Sequence, residues 1–115
     1  MTTIYGIKNC DTIRKTLKWL KENEVEHAFH DYKKEGISED KIQEWQQQVP
    51  WETLINKRGT TWRKLTEEEK EALDNPKTAM EWMMKENSMI KRPVIEADGK
   101  VVVGYDEAFL ESLKE

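Results

Sequence analysis

Cysteine is nearly absent from this chain: Cys10 is the only one in 115 residues. That excludes an intrachain disulfide, a zinc cage built from cysteines alone and a two-cysteine CxxC redox centre. Histidine is almost as scarce. His27 and His30 stand three apart on a predicted strand, so they point to opposite faces and are not expected to share a metal. No HExxH, P-loop or glycine-rich dinucleotide fingerprint occurs. A basic excess is missing too. The 19 basic and 23 acidic residues leave a net charge of −4, which disfavours non-specific nucleic-acid binding. No apolar run approaches the ~20 residues that span a bilayer. The opening MTTIYGIKNC lacks the basic-then-apolar layout of a secretory signal. The expectation is a soluble, cytoplasmic protein with its thiol reduced, no bound metal, and neither nucleic acid nor membrane as partner.

Hydrophobic residues make up 37 % of the chain, enough for a small core in one domain over 1–115. Thr3 to Ile7 is β-branched and aromatic and predicts a first strand. Ile13, Leu17 and Leu20 recur at helical spacing and predict a helix over 11–23. Val25, His27 and Phe29 alternate with their neighbours and predict a strand over 26–32. The stretch of about 34–87 changes character. Ser38, Thr66 with Glu69, and Asn75-Pro76 are helix-start signals, predicting helices over 39–48, 67–73 and 76–86. A short helix is expected near 51–56, and Arg58-Gly59-Thr60-Thr61 reads as a turn-rich gap. Four of the five tryptophans (Trp45, Trp51, Trp62 and Trp82) fall here and are expected to pack a helical layer. Asp98-Gly99 between two valine-rich runs predicts a hairpin, and Asp106 caps a last helix. The order is β-α-β, a helical insertion of about 34–87, then β-β-α.

Cys10 falls between the first predicted strand and helix, where unpaired N–H groups favour an anion. The thiolate is the reactive form of cysteine. Lys8 and Arg14 add positive charge, and the polar neighbours Asn9, Asp11 and Thr12 argue against a greasy pocket. The residues alone leave open an ordinary buried thiol.

A cysteine at the first strand–helix junction of this order is the thioredoxin-like layout. Ile4-Tyr5-Gly6-Ile7-Lys8-Asn9-Cys10-Asp11-Thr12, Arg58-Gly59-Thr60-Thr61-Trp62-Arg63-Lys64-Leu65, Ile90-Lys91-Arg92-Pro93-Val94 and Val103-Gly104-Tyr105 narrow it. Through them the chain resembles the ArsC/Spx family, the arsenate-reductase-like branch of that fold, and within it the YffB-like subgroup. The resemblance covers nearly the whole chain. It implies a thioredoxin-like α/β domain with a mixed sheet, and Cys10 as redox-active nucleophile. It implies that Arg92 lies near the thiol and that a cis Pro93 faces it, exposing backbone to an extended thiol substrate. Arg58 is the second arginine it implies; Arg63 also suits, and Arg58 is preferred because a glycine follows it in a turn. Asn9, Asp11, Thr12 and Pro93 would contact substrate. Glutathione, or a small thiol or oxyanion, would be the partner, as co-substrate rather than bound cofactor. The alternative is an Spx-like regulatory module that binds a protein without turnover. Three departures qualify the resemblance. Ile13 stands where Spx proteins often carry a second cysteine, so no intramolecular disulfide switch can form. Gly6 stands where arsenate reductases carry a histidine, and Gly104 where they carry an arginine.

Overall fold

The computed structural model describes residues 2–8 and 10–114. In chain order the elements are β1 (Thr2–Gly6), α1 (Asp11–Glu22), β2 (His27–Asp31), α2 (Tyr32–Glu35), α3 (Glu39–Gln48), α4 (Trp51–Leu54), α5 (Thr60–Arg63), α6 (Glu67–Ala72), α7 (Pro76–Lys85), a 3-10 turn (Asn87–Met89), β3 (Val94–Ala97), β4 (Lys100–Val103) and α8 (Glu107–Ser112). They form two compact units, Met1–Glu35 with Arg92–Glu115, and Gly36–Lys91. The α/β class and the thioredoxin-like layout expected from the sequence are present.

The first unit is a four-stranded mixed sheet in the order β2-β1-β3-β4. β1 runs parallel to β2, pairing Ile4 with Phe29, and antiparallel to β3, pairing Ile4 with Ile95. Strand alternation decides the faces. Ile4 and Ile95 join Ile13 and Leu20 of α1 and Leu110 of α8 in one fully buried cluster. Burying each such side chain contributes about 1.5–3 kcal/mol. In α1 the buried stripe is Ile13, Thr16 and Leu20, while Leu17 is half-buried. Thr16 can enter the core because its hydroxyl donates to the Thr12 carbonyl at 2.8 Å. The β3–β4 turn uses Asp98 and Gly99 at φ +51° and +78°, the pair of positive values that a two-residue hairpin demands.

In the second unit α3 packs on α7, with Ile42, Trp45, Ala79, Met80 and Met83 all buried. The Gln46 side chain donates to the Pro76 carbonyl at 2.9 Å. An antiparallel bridge joins Ile55 to Ile90. Of the four tryptophans in this stretch only Trp45 is fully buried. Trp51, Trp62 and Trp82 stay half-exposed, and the Lys57 and Lys70 ammonium groups lie 5.6 and 5.7 Å from the Trp62 ring centroid. A large ring that keeps one face wet accepts a cation there. The expected gap at 58–61 is in part helical, since α5 begins at Thr60 with Gly59 as its N-cap.

Candidate active site

β1 ends at Gly6 and the chain turns back on itself. The Cys10 N–H donates to the Ile7 carbonyl at 3.2 Å, closing a four-residue turn. Cys10 is then the N-cap of α1, with extended backbone, and its carbonyl accepts the Arg14 N–H at 3.0 Å. The side chain makes no capping bond. It is half-buried against the Ile4, Ile13, Leu20, Ile95 and Leu110 cluster and forms no disulfide.

The neighbours expected to bind substrate differ in what they do. Asp11 is fully exposed and pairs with Arg14 at 3.1 Å, a contact that solvent screens heavily. Arg14 therefore shares its charge with Asp11. Thr12 is half-buried, and its carbonyl is occupied by Thr16. Asn9 lies outside the described residues.

The antiparallel register pairs Tyr5 with Val94, so Arg92 and Pro93 lie beside the end of β1 that leads to Cys10. The Arg92–Pro93 peptide is cis. Pro93 is buried, and its carbonyl accepts the Gly104 N–H at 2.7 Å. Gly104 has φ +92°, a backbone region that suits glycine. Arg92 is half-buried, and its Cγ lies 4.0 Å from where a Cβ at position 6 would stand. The same Cβ would overlap Cδ1 of Ile13. Position 6 therefore has no room for a side chain, which accounts physically for glycine at that place.

A polar cluster that sequence reading does not find lies on the other face of the sheet. The Tyr5 hydroxyl donates to Glu96 Oε1 at 2.7 Å. The Tyr5 ring lies 4.9 Å from the His30 ring and 6.5 Å from that of Tyr32. Burial of Tyr32 pushes its ionisation far above the usual tyrosine range. Tyr5 and Glu96 push the same way, and the Arg92 guanidinium opposes them. The signal for this cluster was the alternation of Tyr5 with Ile4 and of Glu96 with Ile95; only the register joins the two.

Arg58 and Arg63 both belong to the Gly36–Lys91 unit and are exposed. The Arg58 N–H donates to Asn56 Oδ1 at 3.1 Å, and Arg63 is the last residue of α5. Among the described residues no group of three or more His, Cys, Asp or Glu side chains could hold a metal ion. None of their helices is long and apolar enough to cross a membrane.

Comparison with known proteins gives a consistent picture. Residues 5–113 match the model of the ArsC family. A protein of Haemophilus influenzae is 45 % identical over 107 residues, covering 93 % of each chain. The global transcriptional regulator Spx of Listeria monocytogenes is 28 % identical over 111 residues, 93 % of this chain and 82 % of its own. Among solved structures, the YffB protein superposes with a TM-score of 0.91 at 42 % identity, covering 98 % of this chain and 99 % of its own. An arsenate reductase (ArsC) related protein from Brucella melitensis superposes with a TM-score of 0.77 at 47 % identity, covering 96 % and 92 %.

Proposed function

The chain belongs to the ArsC family, and from that premise we propose that it is a cytoplasmic monothiol oxidoreductase that uses glutathione, with Cys10 as its nucleophile. The observation that carries this reading is the setting of Cys10. The thiol stands at the N-cap of a twelve-residue helix, takes no part in the cap, and lies at the sheet end that also bears Arg92 and Pro93. Similarity to an arsenate reductase related protein supports thiol-based redox chemistry in general terms.

In the proposed cycle the Cys10 thiolate attacks the glutathionyl sulfur of a mixed disulfide. A new S–S bond joins Cys10 to glutathione, and the substrate leaves as a thiol after taking up a proton. A glutathione thiolate then attacks the Cys10-bound adduct and releases oxidised glutathione and the Cys10 thiol. Resolution must come from outside because the chain holds no second cysteine. Arg92 is the group suited to hold a carboxylate or oxyanion of the substrate by bidentate hydrogen bonds.

Intact-mass measurement after incubation with oxidised glutathione tests the first step. One adduct is expected on the native chain and none on Cys10→Ser. Arsenate is a compact oxyanion and needs several donors converging on one point. With glycine at positions 6 and 104, each missing donor is expected to cost ~2–4 kcal/mol of transition-state stabilisation. Steady-state assays should therefore show reduction of a glutathione mixed disulfide and weak or no arsenate turnover. Arg92→Ala should slow the disulfide reaction less than Cys10→Ser does. Efficient arsenate turnover with no mixed-disulfide activity would overturn the reading.

Similarity to the Spx regulators over most of the chain favours a second reading, a protein-binding module without turnover. It expects stoichiometric capture of a transcription protein that Cys10→Ser leaves intact.

A further inference from the structure

The Arg14 guanidinium lies at the thiol end of α1. The Arg14 N–H donates to the Cys10 carbonyl at 3.0 Å, so the two residues stand one helical turn apart on neighbouring positions of the helix surface. Helical side chains lean back towards the N-terminus. Arg14 Nη2 accordingly reaches Asp11 Oδ1 at 3.1 Å, on the residue that follows Cys10. The next two cations of α1 are directed elsewhere. Lys15 Nζ lies 4.2 Å from the Tyr105 ring centroid, and Lys18 pairs with Glu22 at 3.8 Å. The Asp11 side chain is fully exposed and that of Arg14 is 64 % exposed. An ion pair so open to water gains little over its two hydrated partners. Asp11 can therefore be exchanged for another carboxylate at small cost.

Resting on the proposed function, we infer that Arg14 is a specificity-determining residue that trades Asp11 for a carboxylate on the disulfide half that joins Cys10. Asp11 occupies the guanidinium fork in the free protein, and the same planar fork suits a ligand carboxylate. On release Asp11 keeps its charge and turns to water, where it is screened. It still competes with the ligand, so Asp11 sets how strongly anionic partners are preferred. In the step concerned, the Cys10 thiolate sulfur bonds one sulfur of the disulfide and the S–S bond breaks. The other half leaves as a thiolate and takes a proton from water, so Cys10 is oxidised as that half is reduced. Arg14 and Asp11 take no part in the bond changes.

Two symmetrical disulfides serve as probes, anionic oxidised glutathione and neutral 2-hydroxyethyl disulfide. The rate of adduct formation on Cys10 is followed by intact mass at fixed pH and low salt. The readout is the ratio of the two rates, because a change in thiol reactivity alone moves both together. Arg14→Gln should lower the ratio for oxidised glutathione by about fivefold. Asp11→Asn should raise it by about two- to fivefold, since Arg14 then has no carboxylate to give up. In the Arg14→Gln background, Asp11→Asn should change the ratio by less than about twofold, because the exchange needs both residues. Lys18→Gln, further along α1, should leave it unchanged. Circular dichroism confirms that each variant is folded. A ratio that Arg14→Gln leaves unchanged overturns the inference while Cys10 reactivity stands. So does an Asp11→Asn effect that is equal with and without Arg14, which would mark Asp11 as a bare repelling charge. A thiol inert to both probes overturns the proposed function, and this inference with it.

Discussion

A methyl group added at Gly6 would run into Ile13, a fully buried residue of α1. Gly6→Ala should therefore lower stability by about 1–3 kcal/mol, read as a shift in the denaturant midpoint. Cys10 lies one helical turn before Ile13, so the same change should alter the rate of adduct formation. Gly104 is constrained by backbone rather than by space. At φ +92°, Gly104→Ala should cost about 1–2 kcal/mol. Tyr32 makes a prediction about pH. Its folded-state ionisation is raised, first by burial, so the folded form holds its proton where the unfolded chain, near pH 10, releases it. The associated stability is complete below about pH 10 and is lost as pH rises beyond it, by up to about 1.4 kcal/mol per pH unit. Alkaline unfolding followed by circular dichroism should begin above that point. Tyr32→Phe should remove this contribution to the slope.

Helix starts were the most legible elements. Ser38, Asn75 and Asp106 each accept an N–H from three residues on, and Thr66 with Glu69 forms a complete capping box. These are local signals, so a short window of sequence contains the whole interaction. Thr66→Ala should accordingly cost about 1 kcal/mol by thermal or chemical unfolding. α2 and α5 were not legible. Each is a single turn of four residues, too short for hydrophobic periodicity to register. The α1 stripe was read with Leu17, which packs half-buried against the core, but without Thr16, because a threonine becomes a core residue only when its hydroxyl finds the carbonyl four residues back. In the candidate site, Cys10 and the Arg92–Pro93 pair were legible through family motifs. The Tyr5–Glu96 bond was not, since only strand register brings those two residues together.

At the scale of the whole molecule, the sheet order separates early pairings from late ones. The β1–β2 pairing closes a loop of about 25 residues, and β3–β4 closes across a two-residue turn. The Tyr5–Glu96 contact between β1 and β3 spans 91 residues. Loop-closure entropy makes that step dearer than the β1–β2 pairing by about 1 kcal/mol. Stopped-flow refolding should therefore show Leu20→Ala, in the β-α-β part, slowing folding, while Val101→Ala on β4 mainly speeds unfolding. The same ordering holds on the ribosome in a stricter form. Cys10 and its helix leave the exit tunnel long before Arg92 and Pro93 have been translated. While that stretch is being made, the nascent chain carries its one thiol without the arginine and proline that precede β3, and the sheet is completed only as β3 and β4 arrive.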